Sequence, residues 1–205
     1  MDKRGKFIVF EGGEGSGKDT HIERLKPLYP KAVFTREPGG TKIGERIREL
    51  LLSKKSAEME VRTELLLFLA ARAQLIEEVI APALQAGKMV VSNRFGLSTI
   101  AYQIYGRQRQ AYLPFLREVS GFVIGEYIPN ACLLLDVTPT VGLERTKKRL
   151  EASTRFDEEK LAFHEQVREG YKRHVAEFGR PILIDADKSL EDVWSEVKKA
   201  VASVV

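Results

Sequence analysis

Short, continuously apolar runs of β-branched and aliphatic residues recur along the chain: Phe7 to Phe10 (FIVF), Ala32 to Phe34 (AVF), Met89 to Val91 (MVV), Cys132 to Leu135 (CLLL) and Ile182 to Ile184 (ILI). None alternates apolar with polar, which is the pattern of strands covered on both faces in a parallel sheet. The segments between them carry helical spacing. The plainest is the last, where Leu190, Val193, Trp194, Val197 and Val201 form an i, i+3, i+4, i+7, i+11 stripe behind Ser189, a residue suited to capping a helix start. Strand and helix in alternation predict right-handed βαβ crossovers and a three-layer α/β fold with a parallel sheet between helices. No internal repeat, low-complexity tract or Gly/Ser linker divides the 205 residues, so one domain is expected. Ligands in such folds bind beyond the C-terminal ends of the strands.

The residues at those ends carry chemistry. The first strand runs into Glu11, Gly12, Gly13, Glu14, Gly15, Ser16, Gly17, Lys18, Asp19 and Thr20, followed by a helix-compatible stretch. Gly12, four residues, Gly17 and Lys18 have the spacing of a phosphate-binding P-loop, in which backbone N–H groups wrap phosphate oxygens and the lysine reaches the terminal phosphates. The plain alternative is a glycine-rich turn, but a strand before and a helix after favour the phosphate site. One position departs from the motif: Asp19 stands where a Mg²⁺-ligating Ser or Thr belongs, and the hydroxyl is displaced to Thr20. The second strand ends in Thr35-Arg36-Glu37-Pro38-Gly39-Gly40-Thr41, where Arg36 suits either a substrate phosphate or a surface ion pair with Glu37. The third ends in Ser92-Asn93-Arg94-Phe95. Two arginines beside one P-loop suggest a second phosphorylated molecule facing the nucleotide.

At this point the chain closely resembles the thymidylate kinases, which transfer the γ-phosphoryl group of ATP to dTMP. The resemblance runs through FIVFEGGEGSGKDT, TREPGGTKIGERIRELLL, LLLFLAARAQLIEEVIAPAL, RFGLSTIAYQ and RFDEEKLAFHEQVREGYKRHV, in the family's order. It implies a five-stranded parallel sheet, a homodimer built through packed helices, Mg²⁺, and a lid near residues 145–157. It also implies roles. The P-loop residues Gly12 to Thr20, Lys18 foremost, would hold ATP, and Glu14 would accept from the deoxyribose 3′-hydroxyl. Arg36 and Arg94 match the arginines on the dTMP phosphate, with Arg94 and Lys18 also catalytic. Phe68 and Arg72, one helical turn apart, would stack on thymine and bond its carbonyl edge. Gln103 would add a base or sugar contact, and Thr99 is a further pocket residue. Without the family, Phe68 and Tyr102 read as core and Arg72 as a helix-surface charge.

The run Arg145 to Arg155 (RTKKRLEASTR) reads as a solvated helix face until the resemblance makes it the lid, whose basic side chains close on the transferring phosphoryl group. The P-loop itself holds no arginine, as in the family branch whose lid supplies the catalytic one; Arg149 and Arg155 are the candidates, with Arg145 a reserve near adenine. The family usually has aspartate after the third strand, and here Asn93 stands in that place. Asp19 and Asn93 together look like an exchange, in which the P-loop carboxylate replaces the one missing from the strand and both face Mg²⁺. The opposing reading has Asp19 repelling the β-phosphate, leaving a weak nucleotide-binding protein; another monophosphate substrate is a further alternative.

Composition then narrows the classes. Thirty-three Lys plus Arg against 29 Asp plus Glu give +4, and the part placed at Lys18, Arg36, Arg94 and the 145–155 run points to small phosphates more than to nucleic acid or membrane. The start, MDKRGKFIVFEGG, lacks a signal peptide's apolar stretch, so a cytoplasmic protein is expected. A single cysteine, Cys132, fits a reducing compartment and reads as a small core residue. The three histidines show no metal spacing, and no role is assigned to them.

Overall fold

The computed structural model describes residues 4–147 and 154–205. Five strands form one parallel sheet: β1 (Phe7–Glu11), β2 (Val33–Arg36), β3 (Val90–Asn93), β4 (Ala131–Asp136) and β5 (Arg180–Asp185), in the order β2-β3-β1-β4-β5. All neighbouring pairs are parallel, with Phe10 opposite Asn93 and Leu133, and Arg36 also opposite Asn93. Between them run α1 (Lys18–Leu25), α2 (Lys42–Leu52), α3 (Val61–Leu75), α4 (Ala81–Gln85), α5 (Gly96–Thr99), α6 (Leu113–Ile124), α7 (Pro139–Lys147), α8 (Leu161–His174) and α9 (Leu190–Ala202).

Strand pleating sorts the core into two halves. Phe7 and Val9 of β1, with Cys132 and Leu134 of β4, join the cluster under α3, α6 and α8, where Leu69, Leu116 and Val167 are also buried. Ile8, Phe10, Leu133 and Leu135 point the other way, into the cluster closed by Ile22, Leu25, Val193 and Val197 of α1 and α9. These two cores, one on each face of the sheet, lie between the three layers that the apolar runs predict. The expectation of strands buried on both faces holds for β1 and for β4 up to Asp136. It does not hold for β5, where four of six residues are exposed, or for β2, whose residues are half-buried or exposed. Both lie at the sheet edges, so their apolar content packs on one face only. Cys132 sits in β4 between β1 and β5, with no exposed surface, and burial pushes its thiol well up.

The last helix begins as the sequence predicts: the Ser189 side chain accepts from the Asp192 N–H at 3.2 Å. Two features were not predicted. α3 passes through a π-helical turn (Ile76–Ile80) into α4, and a second π-helical segment, Ile100–Gly106, continues α5. The second is buried along its whole length and carries Tyr102 and Gln103. Such wide turns recur at functional sites because they redirect side chains that a regular helix would space evenly. Among the described residues, no helix is long and apolar enough to cross a membrane.

Candidate active site

β1, the central strand, has neighbours reached by crossovers in opposite directions, and the loop that leaves it, residues 12–17, opens at this switch in strand order. Gly15 and Gly17 take φ of 68° and 86°, angles open to glycine at little cost. Gly15 also faces the backbone of α7, since a Cβ there would lie 2.1 Å from Gly142 O. The loop ends at the start of α1, whose first residue, Lys18, is buried. Its ammonium donates to Gly12 O at 2.8 Å, Gly13 O at 2.9 Å and Ser16 Oγ at 3.0 Å. Burial first, and the Arg94 charge second, pull its pKa from 10.5 to about 7.

A cleft of about 1100 Å³ runs from this loop across the ends of the strands. On its far side the buried Arg72 spans Glu37 and Thr99: its guanidinium donates to both Glu37 oxygens, from Nη2 at 2.7 Å and Nε at 2.9 and 3.1 Å, and from Nη2 to Thr99 Oγ1 at 2.8 Å. Burial pushes the Glu37 carboxyl up, and Arg72 opposes that shift. Arg72 Nη1 is buried and has no hydrogen-bond partner among the described residues, an unspent donor. Glu37, Phe68 and Gln103 line the cleft, whereas Arg72 and Thr99 stand behind that wall.

Between loop and wall sits Arg94, held at φ 70° just past β3. Its Nη2 donates to Glu14 Oε1 at 2.7 Å and its Nη1 to Tyr171 OH at 2.8 Å; Tyr102 OH also donates to Glu14 Oε1, at 2.7 Å. The conformation is fixed from beneath by Glu11, whose buried carboxylate accepts from the N–H of Phe95 at 2.8 Å and from Ser98 Oγ at 2.6 Å. Burial raises the Glu11 pKa, against the pull of Ser98 and Arg94. Arg36 lines the cleft from β2 and pairs with Glu45 at 3.1 Å. Its anticipated surface partner, Glu37, is the buried mate of Arg72 instead.

The cleft therefore joins a P-loop, a cationic middle and a part-apolar pocket lined by Phe68 and Gln103. The thymidylate kinase family model matches residues 10–197, a span that includes every one of these elements. The chain belongs to the thymidylate kinase family. It is 44% identical over 204 residues to the thymidylate kinase of Magnetococcus marinus, covering 95% of this chain and 96% of that one. It is 42% identical over 205 residues to that of Geobacillus thermodenitrificans, with 97% and 90% covered. For the Protochlamydia amoebophila enzyme the figures are 44% over 216 residues, with 94% and 95% covered.

Against the thymidylate kinase pattern, the two departures meet in space: Asn93 Nδ2 donates to Asp19 Oδ1 at 2.6 Å, and both residues line the cleft. Arg145 bridges the P-loop and the loop after β5, donating to Ala186 O at 2.7 Å and Gly15 O at 3.4 Å. Arg149 lies outside the described residues. Arg155, expected over the phosphates, is placed elsewhere: it is buried, with Nε donating to Leu51 O at 2.5 Å and Nη2 facing Glu64 Oε2 at 2.6 Å. That last approach is a charge contact, without a hydrogen aimed at the oxygen. The reason is Glu64, a carboxylate buried on α3 that needs compensating cations.

Three site residues were missed from sequence. Arg48 of α2 lines the cleft and is held by Pro38 O at 2.8 Å. The Tyr102 hydroxyl binds Glu14, so this side chain is more than core. Gly142 lets α7 touch the P-loop, and a glycine inside a predicted helix was the available signal.

Proposed function

We infer that this chain transfers the γ-phosphoryl group of ATP to dTMP, giving dTDP and ADP. Membership of the thymidylate kinase family supports the reading. The single structural observation that carries it is the continuous cleft, with a nucleotide-type P-loop at one end and a pocket lined by Phe68 and Gln103, backed by Arg72, at the other. Residues 12–20, with Lys18, bind the ATP phosphates; Arg36 and Arg94 receive the dTMP phosphate; Glu14 accepts from the sugar hydroxyl; Phe68 covers the base. Lys18 and Arg94 flank the position where the phosphoryl group moves, so transfer is direct and needs positioning and charge neutralisation but no covalent intermediate. Residues 145–157 act as the lid of one domain spanning residues 1–205, with Arg149 as its catalytic arginine. The protein acts in the cytoplasm. A coupled ADP-release assay over a panel of nucleoside monophosphates tests the reaction: strong preference for dTMP is expected, and preference for a purine or a ribonucleotide rejects the assignment.

Mg²⁺ is the metal this reaction uses, and the residues present fit it. Asp19 offers a carboxylate fixed by Asn93, while Asn93 Oδ1 is buried without a partner, so the pair supplies hard oxygen donors beside the phosphate loop. Bound there, the ion neutralises charge on the phosphate oxygens. If Asp19 supplies the carboxylate that Asn93 lacks, Asp19→Ser weakens Mg²⁺ affinity of the ATP complex, measured by calorimetric titration, and adding Asn93→Asp restores it. An Asp19→Ser variant that binds Mg²⁺–ATP more tightly, with no need of the second change, sinks the exchange.

We further propose a homodimer. Leu50, Leu66, Phe115 and Phe122 of α2, α3 and α6 are exposed, Phe122 to 89%, and apolar side chains in such number mark an association surface.

A further inference from the structure

Glu64 neither touches the P-loop nor lines the cleft itself, yet it is fully buried on α3 at the centre of a polar cluster. Its Oε1 accepts from Gln103 Nε2 at 2.8 Å and from Arg107 Nε at 3.4 Å. Its Oε2 accepts from Arg107 Nη2 at 3.4 Å and faces Arg155 Nη2 at 2.6 Å. Arg107 is held in turn by Glu159, and Arg155 by Leu51 O, so both cations are fixed and the carboxylate cannot turn away.

The consequence falls on Gln103. A side-chain amide has one donor end and one acceptor end, and a carboxylate has no hydrogen to give. Glu64 therefore takes the NH₂ end, and Oε1 is left for the cleft that Gln103 lines; no donor among the described residues reaches it. Behind the same wall, Arg72 Nη1 is a buried donor without a partner among the described residues. The unspent acceptor at the cleft wall matches an edge that offers an N–H, as N3–H beside C4=O of thymine does, with the Arg72 donor in reserve behind the wall. It mismatches the bare nitrogen that a 4-amino pyrimidine offers there, beside its NH₂.

We propose that Glu64 is a positioning residue that sets the polarity of the Gln103 amide, and through it the preference of this site for a 4-keto over a 4-amino pyrimidine. The inference rests on the dTMP reading and concerns how that base is chosen. In Glu64→Gln the two arginines claim the remaining carbonyl oxygen, the introduced amide nitrogen faces Gln103, and the Gln103 amide turns its NH₂ end to the cleft.

The test compares kcat/KM for dTMP and for 5-methyl-dCMP, which differ only at the 4-position and N3, in wild type, Glu64→Gln, Gln103→Leu and the double variant. Wild-type phosphorylation of dTMP stands or falls by itself, so failure of the reaction reading is separable from failure of this inference. Expected is a fall of at least ~10-fold in the dTMP preference for each single variant, with the double variant no lower than Gln103→Leu, because an unmatched buried polar group costs about that much. A merely structural Glu64 lowers stability, or kcat for both substrates equally, with the ratio unchanged; that result overturns the proposal. If Glu64→Gln does not fold, Gln103→Leu decides: an unchanged ratio there refutes the proposal, and a lowered ratio that Glu64→Met reproduces supports it.

Discussion

Lys18 is the residue at which burial and function pull in opposite directions. Its ammonium donates to three neutral oxygens of its own loop, and burial outweighs the pull of the nearby carboxylates Glu14, Asp19 and Glu11. Its folded pKa of about 7 lies below the ordinary 10.5. Below pH 7 both folded and unfolded chains carry the proton and the cost of burying it is fully present. Between about 7 and 10.5 the unfolded chain holds a proton that the folded one has lost, so this group makes stability rise with pH across that window. A bound polyphosphate reverses the shift. ATP binding at pH 8 is therefore expected to take up protons, seen as a binding heat that varies with the ionisation enthalpy of the buffer. A heat independent of buffer, or net proton release, contradicts this account of Lys18.

Among the elements, α7 has a part that its sequence hardly advertises. Its Gly142 lies so close to the P-loop that a Cβ would meet Glu14 O at 2.2 Å. Gly142→Ala must push the loop or the helix aside, and since a displacement of about 1 Å near a reacting centre costs on the order of 100-fold, kcat/KM for ATP should fall at least ~10-fold. Unchanged kinetics would show that loop and helix are not held against one another. The strands and the P-loop were legible because each is written locally, in an apolar run or a glycine spacing. Phe68 and Arg72 were placed on one helix face by their spacing, and the fold puts Phe68 in the cleft wall with Arg72 behind it. Glu64 was not legible, since its partner Gln103 lies 39 residues away and its arginines come from two further segments. Arg155 was misplaced for the same reason: a basic run gives charge without direction, and only the fold shows that a buried carboxylate captures its last member. The π-helical turn at Ile100–Gly106 likewise has no local signature, because its wide winding comes from packing against α8, where Gly170 admits Tyr105 and Ala101.

For the molecule as a whole, the exposed apolar residues of α2, α3 and α6 sit on the layer that also walls the far end of the cleft, with α3 carrying Leu66 outward and Phe68 into the cleft lining. Association there would brace the helix that carries the proposed base contacts. Sedimentation velocity should show a dimer at micromolar concentration, and Leu66→Glu with Phe115→Glu should shift it toward monomer; a monomeric wild type counts against the proposed assembly. The solitary thiol in the middle of the sheet has a use of another kind. Cys132 is flanked by β1 and β5, wholly covered, with its ionisation suppressed, so a thiol reagent reaches it only when the sheet itself opens. With no second cysteine to confuse the signal, its labelling rate is a built-in clock for opening of the central strands. Nucleotides that bind the folded chain will slow that clock in proportion to their occupancy, which makes the unmodified protein its own reporter of ligand affinity.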